Sequence, residues 1–242
     1  MNILLLAAGG NINEVEEKGF PLTLTEFNGR PLIQYLIEVC LNIDENINLI
    51  IAFKRSDIQK FYLDNIVKIL APAAKIISIE KNTKGAACTA LLASQYINNN
   101  EELLILNAND YLQIDLQKPI LDFREQGLDA GTLTFDSIHP RYSYVRLKDG
   151  FVIEAAEKRP ISRHATAGFY WFKQGGEFVK AAKNMIYKDC SVNDIFFICP
   201  VFNELILSQR KIGVFEINGN VYHPIKDERQ LNFLENAKAK FK

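Results

Sequence analysis

The chain opens with Asn2-Ile3-Leu4-Leu5-Leu6-Ala7-Ala8-Gly9-Gly10, and the reading of this stretch decides the fold. Aliphatic residues run without alternation from Ile3 to Leu6, then give way to two alanines and two glycines. A strand covered on both faces reads as a continuous apolar run, whereas a half-buried one alternates. Similar short runs, rich in Ile and Leu, recur at residues 47–53, 75–79 and 102–106. Helical patterns fill the gaps at 31–41, 56–70 and 85–97, where Pro31 suits a first helical turn and Ser56 an N-cap. Strand then helix, repeated, predicts a doubly wound parallel sheet with right-handed crossovers. Ligands of such sheets sit beyond the carboxyl ends of the strands. That rule points to 8–20, 80–85 and 107–110.

The rhythm then changes. Strand patterns at 129–135, 142–147, 151–154 and 166–172 follow with few helices between them, and Lys148-Asp149-Gly150 reads as a hairpin turn. Helical stretches are expected at 176–187 and 192–208, the second interrupted by Pro200. A strand at 211–217 and an amphipathic helix at 228–240 close the chain. With no linker or repeat, the economical expectation is one domain over 1–242, parallel in its first half and mixed in its second.

Composition narrows the function classes. Of 242 residues, 48% are hydrophobic and 24% charged, which suits a water-soluble protein with a large core. The formal net charge of −1 supplies no field to attract nucleic acid or an anionic membrane. Arg141, Tyr142, Tyr144 and Arg146 interleave aromatics with bases, but strand alternation accounts for them equally well. Cys40, Cys88, Cys190 and Cys199 form no C-x-x-C pair and lie in apolar stretches, as buried reduced thiols do. The apolar run at 3–8 has no basic residues before it and is shorter than the roughly 7–15 residues of a secretory core. No stretch approaches the ~20 apolar residues of a membrane span. A cytoplasmic location is expected. His139, His164 and His223 lack metal-ligand spacing, and neither a P-loop nor a G-x-S-x-G pattern occurs.

Seven stretches, in order, resemble the nucleotidyltransferases that make NDP-sugars and related activated compounds. Residues 4–10 (LLLAAGG) resemble the opening strand and glycine-rich loop, and 28–33 (NGRPLI) the segment entering the first helix. Residues 84–89 (KGAACT) resemble the nucleobase loop, and 105–110 the strand end that carries a metal-binding aspartate. Residues 154–161 (EAAEKRPI) resemble the sugar-phosphate segment, 165–172 (ATAGFYWF) the strand after it, and 192–203 a helix of the acceptor side. The resemblance implies a Rossmann-like, GT-A-type α/β fold: a mixed, mainly parallel sheet flanked by helices. It also implies a role in surface polysaccharide synthesis, with a nucleoside triphosphate and a phosphorylated small molecule as partners.

The implied reaction is attack of a phosphate oxygen on the α-phosphorus of a nucleoside triphosphate, with loss of pyrophosphate. Such chemistry relies on positioning and on cations, Mg²⁺ among them. By resemblance, Ala7, Ala8, Gly9, Gly10, Gly85, Asn107 and Asn109 bind the nucleotide, and Glu157, Lys158 and Gly168 the acceptor. Asp110 and Lys158 are the catalytic candidates, with Asp110 the candidate metal ligand. The family pattern has an arginine in the loop after Gly10 and a lysine after Pro21. Here the loop holds Glu14, Glu16, Glu17 and Lys18, and Leu22 follows Pro21. Asn109 stands where the family has the metal aspartate, and an amide is a poor substitute for a carboxylate on a hard cation. Three readings follow: a nucleotidyltransferase, a catalytically inactive ligand-binding relative, or a GT-A glycosyltransferase. The last is weakened because the chain has no Asp-x-Asp motif. The apolar stretch 192–203 is read as core, with a subunit contact in a homo-oligomer as the alternative.

Overall fold

The protein is described from a computed structural model covering residues 1–9, 21–225 and 230. β1 (Asn2–Leu6) is wholly buried, as its continuous apolar run predicts. A short hairpin of β2 (Glu26–Phe27) and β3 (Arg30–Pro31) leads into helix α1 (Leu32–Leu41), and then comes β4 (Asn48–Lys54). Helices α2 (Arg55–Phe61) and α3 (Leu63–Leu70) precede β5 (Lys75–Ile79), and α4 (Ala86–Leu91) and α5 (Ser94–Ile97) precede β6 (Leu103–Asn107). These four long strands are parallel, in the order β6-β1-β4-β5. Side chains alternate between the two faces: Ile3 and Leu5 join one buried cluster, Leu4 and Leu6 the other.

The second half adds β7 (Asp110–Leu112), α6 (Gln117–Glu125), β8 (Ala130–Asp136), β9 (Ser143–Lys148), β10 (Phe151–Glu157) and β11 (His164–Phe172). β11 runs antiparallel to β6 and joins the halves into one nine-stranded sheet. The turn between β9 and β10 has Asp149 and Gly150 at φ 52° and 82°, the left-handed pair a two-residue hairpin loop requires. Helices α7 (Gly175–Tyr187) and α8 (Val201–Leu207) cover one face. β12 (Ile212–Glu216) pairs parallel with β8, and β13 (Tyr222–Pro224) pairs antiparallel with β7. The architecture is the expected mixed, mainly parallel sheet flanked by helices.

Several local expectations change. The helix expected over 56–70 breaks at Tyr62, which sits at φ 53°; α2 buries no residue, while α3 buries Leu63 and Val67. The helix expected over 85–97 also divides in two. Residues 192–199 are not helical at all. Asn193 and Asp194 are left-handed, and Phe196 bonds by its backbone to the 84–87 turn, leaving Pro200 to begin α8. Phe196, Ile198, Cys199, Val201 and Phe202 nevertheless pack in the core, as their apolar character predicts. Sequence patterning missed β7, α6 and β13. Cys40 and Cys199 are buried, but Cys190 is exposed, contrary to expectation, because it follows α7 on a surface turn. The closing helix expected at 228–240 lies, apart from Gln230, outside the described residues. Among the described residues no helix is long and apolar enough to cross a membrane.

Candidate functional site

Parallel pairing brings the carboxyl ends of β1, β4 and β6 to one edge, with Leu6 in register with Ala52 and Asn107. A cavity of about 230 Å³ opens there, lined by Ala8, Gly9, Lys54, Gly85, Asn107 and Asn109, among others. Its far wall is the turn before α4. Thr83 Oγ1 and Thr89 Oγ1 lie 2.6 Å apart, and each donates to the carbonyl of Gly85, at 3.1 and 3.2 Å. Gly85 sits at φ +114°, and a Cβ there would lie 2.4 Å from the carbonyl oxygen of Phe196. Only glycine lets this turn lie against residues 195–196.

A second cavity, about 280 Å³, shares Ala86, Asn107 and Asn109 with the first. β9, β10 and β11 build its other side with Ser143, Glu157, Lys158 and Tyr170, and Arg141, Tyr142, Phe197 and Tyr222 complete it. Glu157 is 9% exposed, and its Oε2 accepts a hydrogen bond from Ser143 Oγ. Burial pushes the Glu157 carboxyl up from its ordinary value, opposed by the Ser143 bond and the charge of Lys158. Lys158 sits at φ 54°; its backbone N–H donates to Tyr142 at 3.0 Å, and its Nζ lies 5.0 Å from the Phe197 ring centroid. The Arg141 guanidinium lies over the Tyr142 ring, 4.5 Å from its centroid, and donates to the Tyr142 hydroxyl.

Asp110 lines the second cavity beside β13. Asn107 Nδ2 donates to its Oδ2 and the Tyr222 hydroxyl to its Oδ1, each at 2.9 Å. Burial outweighs both bonds and raises its pKa to about 6. Gly168, at φ +67° beside an irregular register in β11, makes room for this carboxylate: a Cβ there would lie 1.9 Å from Asp110 Oδ2.

The donor set does not fit the magnesium ion that the resemblance implies. Two carboxylates line the second cavity, Asp110 and Glu157, and both accept side-chain hydrogen bonds. Asn109 adds a neutral amide. Among the described residues no three of His, Cys, Asp and Glu gather closely enough to hold a metal. Magnesium keeps several waters and is held by one or two carboxylates together with substrate phosphates; here each Asp110 oxygen already accepts a hydrogen bond, and Asn109 offers only a neutral amide.

Most sequence-derived candidates thus converge. Ala8, Gly9 and Gly85 line the first cavity, Asp110, Glu157 and Lys158 the second, and Asn107 and Asn109 both. Gly168 lies beneath Asp110. Ala7 packs into the core and lines neither cavity, while Gly10 lies outside the described residues, as do Glu14, Glu16, Glu17 and Lys18. Leu22, at the position of the family lysine, packs against the core. Several lining residues were missed, among them Lys54, Arg141, Ser143, Tyr170 and Tyr222. Lys54 is the polar residue that ends the apolar run of β4, so the strand-end rule could have found it. Tyr222 comes from a distant segment with no local signal, whereas Phe197 lies in the 192–203 stretch that the resemblance assigns to the acceptor side.

No curated protein matches the chain. The fold, however, is shared with known structures. The nucleoside-diphosphate-sugar pyrophosphorylase from Vibrio cholerae RC9 superposes with a TM-score of 0.79 over 96% of this chain and 99% of that one, at 16% identity. A UDP-glucose pyrophosphorylase complexed with UDP-glucose gives 0.76 over 100% and 99%, also at 16% identity. The inositol-1-phosphate CTP transferase from T. maritima gives 0.73 over 99% and 95%, at 14% identity. The nucleotidyl transferase family model matches residues 18–199, a span that includes the Gly85 turn, Asn107, Asp110, Glu157 and Lys158. This chain belongs to the nucleotidyl transferase family.

Proposed function

We propose that this chain binds a nucleoside triphosphate in the first cavity and a phosphorylated small molecule in the second, and transfers the nucleotidyl group between them. The observation that carries this reading is the meeting of the two cavities at Asn107 and Asn109. A ligand phosphate at that junction touches both. In this reading the backbone of Ala8, Gly9 and Gly85 takes the nucleotide, with Lys54 near its phosphates. Glu157 accepts a hydroxyl of the acceptor, and Lys158 pairs with the acceptor's phosphate. An oxygen of that phosphate attacks the α-phosphorus; the new P–O bond forms as the bond to the bridging oxygen breaks, and pyrophosphate leaves with the electron pair. The protein's contribution is alignment and positive charge.

A specific observation favours a second reading, ligand binding without turnover: the Asp110 carboxylate is tied to Asn107 and Tyr222 rather than held free for a cation. Thermal unfolding with ATP, CTP, GTP and UTP in turn separates the two. A ligand at ~100 times its Kd that binds only the folded state adds about 2.7 kcal/mol. A rise with one nucleotide, followed by pyrophosphate release when sugar phosphates are added, supports transfer. A rise without release supports binding alone. No rise with any of the four, from a folded sample, sinks both.

A further inference from the structure

Seven of the eight described arginines have a carboxylate partner within 4.0 Å: Arg30, Arg55, Arg124, Arg146, Arg159, Arg163 and Arg210. Arg141 has none among the described residues. Its guanidinium is instead held over the Tyr142 ring, donating to a neutral hydroxyl, at the wall of the second cavity. Lys158 lines the same cavity, its ammonium set against the Phe197 ring and likewise in no salt bridge among the described residues. Aromatic faces fix a cation's position without neutralising it. Two such cations on one concave surface make a site for an anion, and a guanidinium fork suits the paired oxygens of a phosphate. The carboxylates that would hold a divalent ion at this place are engaged, as described above.

We propose that Arg141, together with Lys158, binds the phosphate of the second cavity's ligand directly, with side-chain cations in the place of a divalent metal. This rests on the functional reading above and adds to it both a residue and a charge-neutralising device.

The test is calorimetric titration of the full chain with inorganic phosphate and with each of ATP, CTP, GTP and UTP, first in EDTA and then in magnesium. The expected result is phosphate binding in EDTA, within about threefold of its strength in magnesium. Arg141→Ala weakens it about tenfold or more, since a charge-assisted bond is lost. Arg141→Lys restores part of that loss, and Arg146→Ala, which removes an equal charge outside the cavity, leaves it unchanged. Binding that appears only with magnesium overturns the inference, as does equal binding by Arg141→Ala. The functional reading fails separately: phosphate bound in EDTA with no nucleotide bound in either buffer keeps the anion site and discards nucleotidyl transfer. Folding of Arg141→Ala is checked by its unfolding temperature, and its exposed side chain predicts little change.

Discussion

The two walls of the site are built by different means. The wall from β1, β4 and the turn before α4 offers its backbone at the small residues Ala8, Gly9 and Gly85, beside side chains such as Lys54 and Asn82, and the Thr83–Thr89 pair converges on the Gly85 carbonyl. The wall from β9, β10 and β11 is made of side chains held by other side chains. Ser143 holds Glu157, and Tyr170 meets Thr166. A backbone wall tolerates loss of charged residues, because its N–H groups do not depend on side-chain identity. A side-chain wall loses its function when one partner changes. The sequence lacks the loop arginine and the lysine after Pro21 that the resemblance leads one to expect, Lys54 lines the first wall, and the Glu157-Lys158 pair persists in the second.

The junction between the walls is where this contrast breaks most easily. Gly168→Ala places a methyl group 1.9 Å from Asp110 Oδ2 and asks alanine to hold φ +67°. Left-handed strain costs about 1–2 kcal/mol and overpacking about 1–3 more. We expect a loss of about 2–5 kcal/mol in urea unfolding. In an Asp110→Ala background the clashing oxygen is gone, so the same substitution costs less. Equal costs in the two backgrounds would mean that Gly168 serves only its own backbone.

Asp110 itself gives the next effect. Its pKa rises on folding from an ordinary 3.8 to about 6, chiefly through burial. Between those values the native state binds more protons than the unfolded chain, so stability falls as pH rises, and above about pH 6 the whole loss is present. The contribution is on the order of 1–3 kcal/mol. The wild type minus Asp110→Asn difference in unfolding free energy therefore declines from pH 4 to pH 6 and is flat beyond. A flat difference throughout would show that the carboxylate stays ionised on the bonds from Asn107 and Tyr222.

Glu157→Gln probes the side-chain wall alone. Glutamine keeps the shape and removes a buried charge, so stability changes by less than about 1 kcal/mol. Binding in the second cavity falls about tenfold, because an acceptor of ligand hydroxyls becomes in part a donor. Stability lost without any change in binding would make Glu157 a support for Ser143 and nothing more.

What the sequence shows of this site follows the same contrast. β1 and β4 to β6 are legible because burial on both faces leaves unbroken apolar runs, and the rule of strand ends then finds the Gly85 turn and residues 107–110. Glu157 and Lys158 are legible only through resemblance, since a Glu-Lys dipeptide is commonest on solvated edges. Tyr222 is not legible at all. It reaches Asp110 across 112 positions of sequence, through the pairing of three-residue strands that carry no periodicity. Residues 192–199 misled for a related reason: their apolar spacing fits a helix, but the backbone bonds of Phe196 go to the 84–87 turn, a tertiary contact that overrides local pattern. Asn109 is legible only through the aspartate that the family pattern has at its place, and its neighbour Asp110 is tied to Asn107 and Tyr222.

The smallest expected effect falls on that residue. Asn109 lines both cavities, and its described tie to the fold is through its carbonyl, which accepts from Ile225 N–H at 2.6 Å. Asn109→Asp therefore leaves stability within about 0.5 kcal/mol. It adds a carboxylate at the junction, one residue from Asp110, whose like charge opposes a second ionised group nearby. Calorimetric titration of the variant with nucleoside triphosphates is expected to show binding a few-fold weaker in EDTA than the wild type, and restored by magnesium. That outcome would place the lost cation dependence on one substitution. If magnesium restores nothing, the ties of Asp110 to Asn107 and Tyr222 are what exclude the metal, and the backbone wall alone does not rebuild its site.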